Sequence, residues 1–501
     1  MAPTKTILAE HAAVASEQPL ATMAGYDILR AGGNAFDAAT AVSFALSVVF
    51  HPAGGIGGDF FGMFYESKSG KVSCLNGSGW SPTGLTAELV RSMTGGRMPT
   101  FGPLTCVVPG LVGGVWEMHR KLGRSEFKGL LRPSIDLAAR GFPAGEGICR
   151  SVAGAYGALT PDALRIFAPS GKPPKLGEWL RQEALGRVIS EVADRGPEGF
   201  YSGQAAEEIS AALESLGIHC RLEDFSDSKP EWVEPLRLEY NGTTVYEVPP
   251  NSMGATSLLI LKLLAGAGLP KVGQLSKERI ELTMKAVLPA YARRDQMLGD
   301  PRFGPIDVKS FLSTDIGGLE GSGPVRTGDT TAFSVVDSEG NIVSGIQSLF
   351  QHFGSRVFVP ECGIFLNSRA SGFSMSGPNK VEPHKRPLHT LSSMILERGG
   401  RPYLSIGTSG GDYRPMQHAL FVTNAVDYSM PAEQNVGHPR FLWGGGKTIL
   451  VEEGYGIPRG GYSIEKLPMP GKTGVCQAIE MSGRYRKAVC DVRGDGMPSG
   501  Y

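Results

Sequence analysis

Nowhere in the 501 residues does an apolar run approach the roughly 20 consecutive residues that span a bilayer, so no membrane partner is expected. The opening Met1-Ala2-Pro3-Thr4-Lys5-Thr6-Ile7-Leu8-Ala9 meets Glu10 and His11 before any h-region forms, which places the protein in the cytoplasm by expectation. There the Asn241-Gly242-Thr243 sequon would stay unmodified. Net charge is missing too: 49 basic against 49 acidic residues leave no electrostatic footprint for nucleic acid or an anionic surface. A small, neutral or modestly charged partner fits better. The seven cysteines are odd in number and form no C-x-x-C pair, consistent with reduced thiols and no zinc or other metal site. Repeats and low-complexity runs are also absent.

What is present reads as mixed helix and strand. Asp37–Phe50 is apolar all round a helix, through Ala38, Ala41, Val42, Ala45, Leu46 and Val49, and should be buried. Residues 112–140 hold two amphipathic helical stretches, Glu178–Asp194 a third and Ala205–Leu216 a fourth, stopped by Gly217. Leu236–Val248 reads as a strand, and residues 1–245 as mostly helical. The Gly-, Ser-, Thr- and Asp-rich stretch 305–329 reads as an exposed segment.

Asp329-Thr330-Thr331-Ala332-Phe333-Ser334-Val335-Val336 is the stretch that carries chemistry. A hydroxyl residue opens an alternating strand, and Asp337-Ser338-Glu339-Gly340-Asn341 supplies turn residues before a second strand. A Thr hydroxyl is a poor nucleophile, and an α-amine freed on the same residue is one base that activates it. That amine has a reference pKa of roughly 7.7–8.0, close to half-deprotonated near neutrality. Cleaving Asp329–Thr330 would create both groups at once, without cofactor or metal. The dipeptide alone is equally satisfied by two β-formers at a strand entry.

The wider pattern resembles the gamma-glutamyltranspeptidase family of N-terminal nucleophile (Ntn) hydrolases along nearly the whole chain. Gly32-Gly33-Asn34-Ala35-Phe36-Asp37-Ala38-Ala39 and His51-Pro52-Ala53-Gly54-Gly55-Ile56-Gly57-Gly58-Asp59 are similar to its glycine-rich opening. Pro249-Pro250-Asn251-Ser252-Met253-Gly254, Tyr291-Ala292-Arg293-Arg294 and Gly299-Asp300-Pro301 follow in order. Beyond the Thr come Phe353-Gly354-Ser355, Gly363-Ile364-Phe365-Leu366-Asn367, Lys385-Arg386-Pro387-Leu388 and Gly410-Gly411. The resemblance implies an α+β fold, the Ntn αββα four-layer sandwich, built from interleaved fragments 1–329 and 330–501 that pair as a heterodimer and could assemble further. It implies Thr330 as nucleophile, Asp329–Thr330 as the autocleavage site, and Gly410 and Gly411 as oxyanion donors. Ser348 stands where the family has a Thr that hydrogen-bonds the nucleophile.

Ser78, Phe350, Asn367, Arg369, His389 and Thr390 are the candidate substrate-binding residues, and the glutamyl-reading positions among them depart from the family. Ser78 stands where an Arg clamps the donor α-carboxylate, and Gly372, five residues after Asn367, where an Asp holds its α-ammonium. Arg369 replaces a Gln and Phe350 an Asn, while His389 and Thr390 replace two serines. An Arg–carboxylate fork is strong and geometrically selective, so its loss changes the acyl group that can be read. Phe350 and Trp80 suggest an apolar wall, and Arg369 or His389 could bind a carboxylate or serve structure only. The expectation is a self-processing amidohydrolase acting on a small amide whose acyl group is not standard γ-glutamyl. The alternatives are a true glutathione-cleaving transpeptidase and a non-catalytic binding protein. A further rival is Gly407-Thr408-Ser409-Gly410-Gly411, which fits the G-x-S-x-G elbow between a strand and a helix from Tyr413 to Tyr428, with Asp427 and His438 as partners.

Overall fold

The computed structural model of the protein describes residues 4–317, 325–458 and 461–501. Its centre is a pair of seven-stranded antiparallel sheets. The first runs Ser499–Gly500, Ala13–Ser16, Asp329–Val336, Ile342–Phe350, Asp59–Glu66, Lys71–Gly77, Glu231–Val233. The second runs Lys5–Ala9, Arg486–Cys490, Cys476–Met481, Arg401–Thr408, Met394–Arg398, Thr243–Glu247, Leu236–Tyr240.

Strand alternation makes the layers. In Asp329–Val336, Phe333 and Val335 join an apolar core with Phe44, Phe60 and Phe64, whereas Ala332 and Val336 join another with Phe61, Met63, Ile346, Ile395 and Ile479. The first core lies between this sheet and helices that include Pro19–Arg30, Ala35–Val49 and Leu111–Leu122. The second lies between the two sheets and is rich in alanine, with Ala9, Ala13, Ala15 and Ala488, which lets them stack closely. Ser334 Oγ and Ser405 Oγ bridge them at 2.9 Å. A third core, with Leu258, Leu261, Met284, Leu404 and Met416, seals the second sheet under helices Gly254–Leu264, Lys277–Met297 and Arg414–Val426. Three cores between four layers make the αββα sandwich.

The buried helix forms at Ala35–Val49 with every residue inside. Asn34 caps it by accepting from the Phe36 and Asp37 N–H groups, and the Asp37 carboxylate accepts from the Asn34 N–H. The stretch 112–140 gives helices Leu111–Leu122 and Phe127–Arg140, and a further helix covers Gln204–Ser215.

Three expectations need correction. Residues 1–245 are not simply helical, since Lys5–Ala9, Ala13–Ser16, Asp59–Glu66 and Lys71–Gly77 are all sheet strands. Phe60, Phe61, Phe64 and Leu75 are covered on both faces of a sheet, so these segments show no alternation to read. Leu236–Val248 is a hairpin of two strands, turning at Asn241 (φ 47°) and Gly242 (φ 79°), the Asn-Gly pair such turns prefer. The helix expected from Glu178 begins at Glu183, because Trp179–Leu180 pairs with Phe142–Pro143.

Candidate active site

Thr330 is the second residue of strand Asp329–Val336 in the first sheet and is buried. Its Oγ1 is 2.7 Å from the Asp329 carbonyl oxygen and 3.1 Å from Ser348 Oγ. Ser348, on the neighbouring strand, donates to the same carbonyl at 2.8 Å, and its oxygen accepts the Phe350 N–H at 2.7 Å. Two hydroxyls therefore converge on the carbonyl that precedes Thr330. The pairing makes room for this: the register shifts between Asp329 and Thr331, and Phe350 takes a left-handed φ of 81°.

The Asp329 side chain turns back on the same bond. Oδ1 accepts the Thr330 N–H at 2.9 Å and Oδ2 lies 2.7 Å from His352 Nε2. Burial opposes the charge on Asp329, but the His352 imidazole and the Thr330 N–H hold its carboxyl below the ordinary range. Burial likewise opposes charge on His352, and Asp329 raises it. Nearby Glu17 is buried, and burial together with the Asp329 and Asp495 charges pushes its carboxyl well up toward the neutral form. Sequence reasoning passed over both Glu17 and His352. His352 stands four residues beyond Ser348, directly after the strand that ends at Phe350, which was the one signal available.

Gly410 and Gly411 form the turn between strand Arg401–Thr408 and helix Arg414–Val426, with φ 134° and 58°. Neither N–H is taken by another group among the described residues. The segment before Thr330 lies across this turn. Arg326 N–H donates to Asp412 Oδ2 at 2.9 Å, Asp412 N–H to Arg326 O at 3.0 Å, and Arg326 Nη1 to Ser371 O at 3.1 Å. Gln351 Nε2 donates to Thr327 O at 2.6 Å. A Cβ on Gly411 would stand 2.5 Å from Gly328 N and 2.7 Å from Arg326 O, so only glycine admits the segment. The end of the stretch expected to be an exposed segment is thus pinned, because Asp412 and Ser371 take up its polar groups; residues 318–324 lie outside the described residues. A cleft of about 340 Å³ opens beside it, lined by Arg97, Arg294, Asp295, Arg326, Ser371 and Phe373.

The proposed reading positions fall into two groups. Asn367 is fully committed to backbone: Oδ1 accepts from Val107 and Arg369 N–H, and Nδ2 donates to Gly57 O and Val107 O. Ser78 Oγ donates to Asn76 Oδ1 and receives Asn251 Nδ2. His389 Nε2 lies 2.9 Å from Asp59 Oδ2, and its Nδ1 accepts the Leu391 N–H. Burial, and then Arg369, pull its pKa down to about 3, so it is neutral with both nitrogens in use. Arg369 is different: it lies over the Phe350 ring at 4.6 Å, and Nη1 donates to Thr390 Oγ1 at 2.9 Å. Phe350 and Thr390 thus meet around Arg369 beside Asp59, and Asp59 pairs across the sheet with Ser348.

The elbow serine has no such company. Ser409 Oγ accepts the Val475 N–H, Asp427 takes the Tyr240 hydroxyl and Asn241 amide, and His438 Nδ1 turns to Pro439 O. The two central sheets, antiparallel throughout, also differ from the parallel sheet of an α/β-hydrolase.

A four-layer αββα sandwich with a Thr near the start of an inner strand is the architecture of an N-terminal nucleophile hydrolase. The sequence profile of the gamma-glutamyltranspeptidase family matches residues 21–501, and the chain belongs to that family. It is 34% identical to the glutathione hydrolase-like YwrD proenzyme of Bacillus subtilis over 88% of this chain and 86% of that one. The oxamate amidohydrolase proenzyme of Klebsiella pneumoniae is 27% identical over 89% of each. Among solved structures, cephalosporin acylase from Bacillus halodurans superposes with a TM-score of 0.92 at 29% identity, covering 100% of this chain and 98% of that one. The chain is thus an N-terminal threonine hydrolase by family, and its relatives are named as proenzymes.

Proposed function

We propose that this chain cleaves itself between Asp329 and Thr330 and then hydrolyses a small amide whose acyl group is not standard γ-glutamyl. One observation carries the first half: the Asp329 carbonyl is met by both the Thr330 and Ser348 hydroxyls. In the precursor, Thr330 Oγ attacks that carbonyl carbon, the C–N bond breaks, and the peptide nitrogen leaves as an amine. Water then hydrolyses the resulting ester, giving a carboxylate on Asp329 and a free α-amine on Thr330. The Ser348 hydroxyl stabilises the charge that develops on the carbonyl oxygen. In the two-fragment enzyme, the Thr330 α-amine takes the proton from Oγ as it attacks the substrate carbonyl. The oxyanion rests on the Gly410 and Gly411 N–H groups. The substrate amine departs with the proton, and water releases the acyl group.

The acyl assignment is supported by Ser78 and Gly372, which offer neither the fork for an α-carboxylate nor an acid for an α-ammonium. Relatives named for oxamate and for cephalosporin fit this reading. The test is intact mass after incubation at neutral pH, beside Thr330→Ala, followed by an amide screen that includes glutathione. Two fragments from the natural chain and one uncut variant are expected. Glutathione as the best substrate would favour a true transpeptidase, and an uncut natural chain a binding role.

A further inference from the structure

We infer that His352 is the proton source for self-cleavage, acting through the Asp329 carboxyl on the Thr330 nitrogen that must leave as an amine. The inference rests on the reading of Asp329–Thr330 as the scissile bond and deepens it by naming what carries the nitrogen out. Three groups stand in line: Asp329 Oδ1 is 2.9 Å from the Thr330 nitrogen, and Oδ2 is 2.7 Å from His352 Nε2. Both distances lie within the reach of direct proton transfer. An amide nitrogen leaves poorly until it is protonated, so a positioned acid is what this step needs. The Thr330 and Ser348 hydroxyls both donate to the carbonyl oxygen, which leaves the nitrogen to the Asp329 side chain.

His352 is placed for the task. It sits in the turn after strand Ile342–Phe350, between Phe350 at φ 81° and Phe353 at φ 60°, a region where bulky side chains are strained. The turn is held on each side: Gln351 Nε2 donates to Thr327 O at 2.6 Å, and the Phe353 N–H to Pro52 O at 2.8 Å. The His352 side chain is 46% exposed and that of Asp329 20%, so the imidazole recovers a proton from water and hands it inward. Several segments bring charge to the pair. Glu17, just after strand Ala13–Ser16, is held toward its neutral form by burial and by Asp329. Arg150, on helix Glu146–Ala155, lies 3.8 Å from Asp495, and Asp491 is paired with Arg440 and Arg493. Lys472 adds a positive charge. Burial, Arg150 and Lys472 oppose charge on the imidazole and Asp329 outweighs them, which sets its pKa above the ordinary value.

The step balances. As the Thr330 Oγ–C bond forms, the hydroxyl proton leaves through Ser348 Oγ, 3.1 Å away. The nitrogen, now pyramidal, turns its lone pair to the carboxyl. The C–N bond breaks with its electron pair on nitrogen, which takes a proton from Asp329 as Asp329 takes one from His352. Water recharges the imidazole and accepts the proton released at Ser348, so one proton has moved from Oγ to nitrogen. The test uses full-length precursor from cell-free translation, moved into buffers between about pH 5 and 10, with cleavage followed on a denaturing gel. The rate constant should fall about tenfold per pH unit above the His352 pKa, which stands above ~6.5. His352→Gln should cleave about tenfold more slowly at pH ~6 and lose that descending limb. Asp329→Asn, whose amide oxygen still accepts the Thr330 N–H but relays no proton, should match it. Added imidazole should restore His352→Ala in proportion to its cationic form. Should the variants fail to fold, the limb of the natural chain reads the same proton. A natural rate that rises through that range, or His352→Gln with the natural rate and profile, would overturn the inference and leave the scissile bond standing. A natural chain that cleaves at no pH would overturn the proposed function and this step with it.

Discussion

In the proposed self-cleavage, Ser348 is the residue on which Thr330 leans most. Its hydroxyl reaches the Asp329 carbonyl and Thr330 Oγ1 at once, and the Phe350 N–H aims it. Ser348→Ala should slow self-cleavage by roughly 10- to 100-fold, the rate equivalent of about 1.4–2.7 kcal/mol for one hydrogen bond to developing charge. Ser348→Thr should keep most of the rate, and the precursor half-life on a denaturing gel measures both. His389 governs a different property. Folded, burial and Arg369 hold it near 3, whereas an unfolded histidine titrates near ~6.5, so between those values the unfolded chain takes up a proton that the folded one refuses. Stability should fall as pH drops from about 6.5 toward 3. His389→Gln, whose amide can still donate to Asp59, should flatten that slope in melting temperature against pH.

Thr330, Ser348, Gly410 and Gly411 were candidates in advance through the family resemblance, and the structure brings the Thr330 and Ser348 hydroxyls together at the Asp329 carbonyl. What could not be read was the use to which a buried polar group is put. His389 and Arg369 looked equivalent as cations in the sequence; only the contacts show one with both nitrogens occupied and the other with Nε and Nη2 unpaired among the described residues. Asn367 looked like a ligand-binding amide and is saturated by four backbone bonds.

Among elements, the hairpin Asp329–Val336 to Ile342–Phe350 is the one that carries Thr330 and Ser348, and its turn is tied down by Asp337. That carboxylate accepts from Glu339 and Asn341 N–H within the turn, from Asn341 Nδ2, and from the Ala35 N–H at the start of the buried helix. One side chain therefore joins the strand that carries Thr330 to the N-terminus of the helix packed beneath it. Asp337→Ala should lower stability by roughly 2–4 kcal/mol, since it strands several buried donors. A drop in the midpoint of thermal unfolding, with self-cleavage retained below that midpoint, is the expected result. The hairpin was legible because its turn residues sit between two β-rich runs. Strands Asp59–Glu66 and Lys71–Gly77 were not, because burial on both faces erases the period of two on which such a reading depends. The Asn241-Gly242 dipeptide carries its own turn signal, and it divides the β-rich run Leu236–Val248 into two strands.

At the scale of the whole molecule, the two sheets decide how residues 1–329 and 330–501, the fragments the proposed cleavage would give, depend on each other. Four strands of the first sheet precede Thr330 and three lie at or beyond it; in the second sheet the split is three and four. The strand bearing Thr330 lies between Ala13–Ser16 of one fragment and Ile342–Phe350 of its own, and the alanine-rich core between the sheets draws on both fragments. Sequence could suggest this interleaving only through family resemblance, because pairings such as Lys5–Ala9 with Arg486–Cys490 join residues that no local pattern connects. Neither fragment owns a complete core, so separation exposes sheet edges and apolar faces that nothing else covers. Residues 1–329 or 330–501 expressed alone should aggregate, while the two co-expressed should elute together as one species. Size-exclusion chromatography of the three preparations settles the point. A soluble, monomeric 1–329 fragment with a cooperative unfolding transition would show that one half folds by itself and that the interleaved core is not what holds the molecule together.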